Sequence, residues 1–245
     1  MNGQLKARQL LLRYAWVIKF PLVLVTTVMV KLRNRSWRSP QDYLKHQQAI
    51  YGRKLFTDSS DKFTRVRERI AQLALEAGNA RALDVATGAG WQALALKNAG
   101  FSQVVGIDVV SARIAFCKQV HRGKGVKFQV MDGSNLKYPD NYFDCSVVSA
   151  ALHDMPSPVK RQVLAELARV TKSRVIIFEP RTFQNPILGF LYGTIGEWLD
   201  ESLHFRQFVQ EDLGRVLPEQ GLEVIYQEPA WHGMMALTVC RPKAD

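Results

Sequence analysis

The sequence predicts an α/β fold: a seven-stranded, mostly parallel sheet with helices on both faces, preceded by a basic, apolar helical segment. Three observations predict it. From residue 81 onward, short runs rich in valine and isoleucine alternate with stretches of helical periodicity, the order that builds a parallel sheet covered on both sides. A glycine-rich turn, Thr87 to Gly90, joins the first strand to the helix after it. The last two strands have a short connection, which suits an antiparallel edge pair.

Residues 1–41 contain eight lysines and arginines and no acid; the first acid is Asp42. This segment holds +8 of the formal charge of +11, so residues 42–245 carry only +3. It is also strongly apolar. Phe20 to Val30 is uncharged, and Lys19 interrupts a longer run from Tyr14. Eleven residues are short for a span, which needs about 20, and fit an interfacial helix better, while a span from Tyr14 to Val30 requires Lys19 to snorkel. Pro21 would kink a helix there or start a second one. The expected role is attachment to an anionic membrane surface through residues 1–41. A mitochondrial transit peptide and a helix of the core are the alternatives. The corresponding location is the cytoplasmic face of a bacterial inner membrane, or else the mitochondrial inner membrane.

The second expected unit is one domain over residues 42–245. Across the boundary between the two units, residues 34–60 are polar and broken by Pro40 and Gly52. Residues 61–78 have helical spacing and stop at Gly78. Strands are expected at 81–86, 103–108, 126–132, 143–150, 174–180, 222–228 and 234–241. Helices are expected at 91–100, 111–121, 157–171 and 210–221. Residues 183–206 form an apolar, aromatic insertion that reads as a lid, with a core helix plus a solvated loop as the plainer reading.

Composition excludes several classes. With 47% hydrophobic and 22% charged residues, the chain is not disordered. Cys117, Cys145 and Cys240 lie far apart, which excludes a disulfide scaffold and a CxxC zinc site. The near-neutral domain gives little support to nucleic-acid binding.

The chemistry sits in ALDVATGAGWQ, where Asp84, Gly88 and Gly90 fall in a strand–turn–helix context. Such glycines allow a tight turn and close approach of a ligand to the backbone. The G-x-G-x-x-G spacing of a dinucleotide site is not met. Asp108 ends the second strand, where a carboxylate can accept ribose hydroxyls. Asp132, before Gly133 and Ser134, ends the third and could accept from an adenine amino group. Three acids at successive strand ends converge on one crevice and suit a cationic ligand bearing an adenosine.

Residues 62–241 resemble a class I S-adenosylmethionine-dependent methyltransferase. The family's first motif, an acid followed by alternating glycines, reads Asp84-Val85-Ala86-Thr87-Gly88-Ala89-Gly90, with Ala86 in place of the first glycine. Alanine there is familiar from the ubiquinone/menaquinone C-methyltransferases, whose loop opens D-V-A. The stretch PDNYFDCSVVSAALHDMP, the helix with AELARVTK and the strand ending FEP resemble the same family. The resemblance implies S-adenosylmethionine as cofactor, with Asp84, Ala86, Gly88 and Gly90 along its methionine part, Asp108 at the ribose, and Asp132 and Gly133 at the adenine.

Methyl transfer from a sulfonium mainly needs alignment of the acceptor, and a base only when the acceptor must lose a proton. His153 and Asp154 follow the fourth strand and are the candidate catalytic pair, with Tyr192 of the lid as a third. The plainer readings are that His153 lines the site sterically and that Asp154 caps the helix after Pro156. No metal ligand set is assigned. The expected acceptor is small and hydrophobic, a prenylated quinone, with no nucleic-acid partner. Rhodoquinone-forming enzymes resemble this family, exchange a methoxy for an amino group with S-adenosylmethionine as nitrogen donor, and use a divalent metal (manganese or magnesium) that the residues here do not by themselves indicate. A lipid or other small-molecule methyltransferase and a non-catalytic assembly factor are the further alternatives.

Overall fold

The computed structural model describes residues 63–183, 185–199, 202, 204–230 and 233–243. The segment 1–41 and its boundary at residue 42 therefore lie outside the described residues. The strands are β1 (Arg81–Val85), β2 (Gln103–Asp108), β3 (Val126–Val130), β4 (Phe143–Ser149), β5 (Thr171–Pro180), β6 (Leu222–Ala230) and β7 (Met235–Pro242). They pair in the order β3-β2-β1-β4-β5-β7-β6. The first five run parallel, and β7 runs antiparallel to both β5 and β6.

The helices are α1 (Thr64–Leu75), α2 (Trp91–Ala99), α3 (Ser111–Val120), α4 (Ser157–Val170), α5 (Pro186–Leu199), α6 (Phe205–Gln210) and α7 (Leu213–Glu219). They divide between two cores because strand residues alternate faces. In β5, Val175 and Ile177 meet α4, α6 and α7, while Ile176 and Phe178 meet the side of α1, α2 and α3. The same alternation separates Val148 from Val147 in β4. Central strands buried on both faces explain the nearly continuous apolar runs in the sequence.

Several boundaries differ from the sequence expectation, each for a local reason. β3 stops at Val130 rather than 132 because the Asp132 carboxylate turns the chain by accepting from Ser134 N at 2.8 Å. β5 starts at Thr171, directly after α4, and is held there by a buried contact between the Thr171 and Ser146 hydroxyls at 2.6 Å. The helix expected at 210–221 is α7 alone, with Asp212 as its cap accepting from Gly214 N. Residues 205–210 form the separate helix α6.

The insertion at 183–206 is ordered as α5 packed on α6. Gly193 and Gly196 make this contact close. A β-carbon at Gly193 would sit 2.9 Å from Arg206 Cγ and from Val209 Cγ2, and one at Gly196 would overlap the Phe205 ring. Overpacking of this kind costs about 1–3 kcal/mol. Gly196→Ala is expected to lower unfolding free energy by about that amount, read from the urea midpoint. Gly100→Ala is the control for crowding, because a β-carbon there meets nothing within 4 Å and only backbone strain is added.

Candidate active site

A crevice with a cavity of about 800 Å³ opens at the carboxyl ends of β1, β2, β3 and β4. That volume is within the range of small-ligand sites. Its walls bring together Asp84, Ala86, Gly88, Asp108, Asp132, Gly133 and Asp154, seven of the residues singled out from sequence.

The turn after β1 is held from beneath. Thr87 Oγ donates to Asp84 Oδ2 at 2.6 Å, Cys117 Sγ lies 3.2 Å from Gly88 O, and His121 Nε2 lies 2.8 Å from Ala89 O. Gly90 has φ +81°, and a β-carbon there would lie 2.9–3.0 Å from His121, Phe128 and Cys117. Only glycine suits that position. Ala86 has φ +55°, in the left-handed region. This explains why the family motif has glycine where this chain has alanine: an L side chain there costs about 1–2 kcal/mol. Ala150, on the opposite wall, has φ +50°, so both walls carry backbone strain, as active-site walls often do.

The acids differ in how much capacity they retain. Asp108 accepts from Gly88 N at 3.1 Å, Val110 N at 2.9 Å and Arg113 Nη1 at 3.1 Å. A carboxylate has about four acceptor sites, so one lone pair, on Oδ1, remains for a ribose hydroxyl unless Arg113 moves. The single-residue ribose clamp read from sequence is thus already part of the loop's own scaffold. Asp132 uses Oδ1 for Ser134 N and Oγ, which leaves Oδ2. Asp84 is buried, and that burial pushes its pKa up to about 7 against the opposing bond from Thr87.

The fourth-strand loop has an organiser that sequence reading missed. Glu179, buried near the end of β5, accepts from Ala151 N and Leu152 N with Oε1, each at 2.7 Å. Its Oε2 accepts from His153 Nδ1–H at 2.6 Å. His153 is buried, and its Nε2 lies 3.8 Å from Asp154 Oδ1. Asp154, not His153, lines the crevice. The arrangement therefore reads outward as Glu179, His153, Asp154, then ligand. Asp154 does not cap α4, whose first residue has no side-chain cap. Tyr192 is turned away from this group: its hydroxyl donates to Met234 O at 2.7 Å. It does not line the crevice.

Sequence reading also missed Arg67 and Gln92. Arg67 of α1 lines the crevice. Gln92 is buried in its wall, and neither end of its amide has a hydrogen-bond partner among the described residues. Buried amides are rarely left so, which points to a polar ligand. Among the described residues no group of three or more His, Cys, Asp or Glu is placed to hold a metal ion.

Fold and site define an α/β protein whose crevice can hold a cationic, nucleoside-bearing ligand. A family model described as a methyltransferase domain matches residues 83–178. A demethylmenaquinone methyltransferase of Thermotoga maritima is 30% identical over 178 residues, 67% of this chain and 76% of that protein. A ubiquinone/menaquinone biosynthesis C-methyltransferase of Bdellovibrio bacteriovorus is 31% identical over 132 residues, 52% of this chain and 55% of that protein. The chain thus spans about half the length of the Bdellovibrio relative and three quarters of the Thermotoga one. Among solved structures, magnesium protoporphyrin IX methyltransferase of Synechocystis, crystallised with S-adenosylmethionine, superposes with a TM-score of 0.59 at 13% identity, covering 83% of this chain and 94% of that one. That likeness is of fold alone. The chain belongs to the class I S-adenosylmethionine-dependent methyltransferases, close to the ubiquinone/menaquinone C-methyltransferases.

The residues present fit S-adenosylmethionine. Asp84 can meet its positive charge, Arg67 and Gln92 can take its carboxylate and ammonium, and Asp108 and Asp132 can offer acceptors to the nucleoside. Asp84 also sets a pH dependence. Its folded pKa of about 7 lies above the ordinary 3.8, so between these values the folded chain holds more proton than the unfolded one. Stability is therefore lost as pH rises through that window. Urea unfolding at about pH 5 and about pH 8 is expected to show this loss. Asp84→Asn should reduce it and weaken S-adenosylmethionine binding above neutrality. An unchanged pH dependence in the variant would contradict the assignment.

Proposed function

We propose that this chain is an S-adenosylmethionine-dependent enzyme that methylates a quinone ring, and that the acceptor is prenylated and lipid-soluble. The supporting observation is the crevice itself. Its lining combines three carboxylates, Asp84, Asp108 and Asp132, with apolar side chains such as Val66, Met155, Val159 and Phe178, and Asp154 is part of the same lining. The names of the two relatives, both quinone methyltransferases, support the acceptor class. Attachment at the cytoplasmic face of a bacterial inner membrane through residues 1–41 is part of this reading, supported by their eight cations and no acid.

The bound cofactor supplies an electrophilic methyl and a good leaving group. The chain aligns the acceptor and manages one proton. A reduced quinone ring attacks through a carbon beside a hydroxyl, so a ring C–CH₃ bond forms as the S–CH₃ bond breaks and the electron pair returns to sulfur. The ring proton at that carbon must then leave. Asp154 takes it, with the His153 imidazole behind it and Glu179 fixing the imidazole from the far side. A base so placed contributes about 10²–10⁴-fold.

The test incubates the full chain with S-adenosylmethionine and a panel of short-chain quinones and quinols, with and without manganese or magnesium, and follows acceptor and cofactor by mass spectrometry. A methylated acceptor with S-adenosylhomocysteine is the expected result. An amino-for-methoxy exchange would replace the methylation reading with the rhodoquinone one. Asp154→Asn should lower kcat by about 10²–10⁴-fold with cofactor affinity nearly unchanged. Glu179→Gln, whose one oxygen can still accept from both amides only by turning its NH2 toward His153 Nδ1, should lower kcat while leaving the fold intact. Glu179→Ala should also destabilise the fold, by about 1–3 kcal/mol for each buried amide left without a partner.

A further inference from the structure

Helix α5 is apolar on both sides, and its small residues face inward. Gly189, Gly193 and Gly196 fall on one side, where β-carbons would meet Phe183, Arg206, Val209 and Phe205. The opposite side carries Ile187, Leu188, Phe190, Leu191 and Ile195, which are 45–69% exposed. A surface helix of a soluble domain does the reverse, burying its large apolar residues and showing polar ones. No residue from Phe183 to Gly196 is charged.

This face is not isolated. α5 begins six residues after β5 ends, so it lies at the same end of the sheet as the crevice. Twelve large apolar side chains are exposed among the described residues. Nine of them are at that end, including Val109 and Val159 on the crevice wall and Met234 beside α5. Exposed apolar surface so concentrated marks a contact site.

We propose that the outward face of α5 is a bilayer-contact surface, lying at the headgroup–acyl boundary of an anionic membrane with its amino-terminal turn deepest. Two observations select a lipid surface as the occupant. The first 62 residues of the chain join the described part at Phe63, which itself lines the crevice. The chain thus enters the described part at the crevice end of the sheet, the end that also carries α5, and the acid-free, eight-cation stretch 1–41 precedes that entry by 21 residues. The charges flanking α5 are also polarised. In the sequence, Arg181 precedes the uncharged run of α5, and Glu197, Asp200 and Glu201 follow it. Anionic headgroups attract the first end and repel the second, which tilts the helix so that Ile187, Leu188 and Leu191 enter first. The reading of a lipid-soluble acceptor gives this surface its use, because the acceptor would pass from the bilayer into the crevice beside it.

The test uses the full chain with Leu191→Cys carrying a polarity-sensitive fluorophore. Cys117, Cys145 and Cys240 are buried, so the label is selective. Val224→Cys, on the exposed stretch of β6 at the other end of the sheet, is the control. Vesicles of phosphatidylcholine and phosphatidylglycerol contain a spin-labelled quencher lipid and neither quinone nor cofactor, so the readout is independent of turnover. Quenching at position 191 and not at 224 is expected. The paired substitutions Leu188→Gln and Leu191→Gln should reduce the vesicle-bound fraction roughly tenfold or more. Three results would overturn the proposal. The first is vesicle binding with position 191 unquenched, as residues 1–41 acting alone would give, and the second is no vesicle binding at all. The third is a position 191 already shielded before vesicles are added, as a cover made by the chain's own first 62 residues or by a second copy would give. Methylation of a short-chain quinol in solution is read separately, so failure of this surface and failure of the proposed reaction are distinguishable.

Discussion

The sheet grows in two directions from β1, and the site depends on that reversal. β2 and β3 add on one side, β4 and β5 on the other. The helix after β1 therefore packs on one face and the helix after β4 on the opposite face. Their first turns part, and the gap between them stays open at the carboxyl ends of the strands. Asp84, Asp108 and Asp132 end or follow strands on one side of the gap, and the Ala150–Asp154 loop follows β4 on the other. The two walls of the crevice come from the two directions of growth.

Buried hydrogen bonds then make an open gap into a defined one. Thr87 fixes Asp84 beneath the glycine turn, and Glu179 fixes three groups of the facing loop with one carboxylate. Both walls hold an alanine at positive φ, at Ala86 and Ala150. The surrounding bonds outweigh that strain. The carboxylates that do this are in or next to the crevice, so the residues that shape the site also set its charge.

The sheet was legible from residues 81 to 242 because parallel strands buried on both faces read as short, nearly continuous valine- and isoleucine-rich runs between helical stretches, and glycine or proline marks many of their ends. The acids at the ends of the first two strands, and just past the third, were legible by the same rule. Glu179 obeys that rule too, two positions past Ile177 in an otherwise apolar strand, yet its partners are 26 to 28 residues away in sequence and nothing local announces them. His153 and Asp154 were found, but their order was not: only burial shows that His153 stands behind Asp154. Tyr192 was chosen as a polar group in an aromatic stretch, and its hydroxyl is used by the Met234 carbonyl. The close fit of α5 on α6 was hidden because glycines at helical spacing resemble loop residues when their partner helix is unknown.

The central claim is that a methyl group moves from the sulfonium to a ring carbon in this crevice. The most direct test is a single turnover with S-adenosylmethionine labelled with ¹³C at the methyl group, on the full chain with a short-chain demethylated quinol, followed by ¹³C NMR of the extracted product. The account predicts the label on a ring carbon, with unlabelled S-adenosylhomocysteine as the spent cofactor. Label on an oxygen would contradict the assignment of Asp154 as the group that removes a ring proton. A changed quinone that carries no label would contradict methyl transfer altogether.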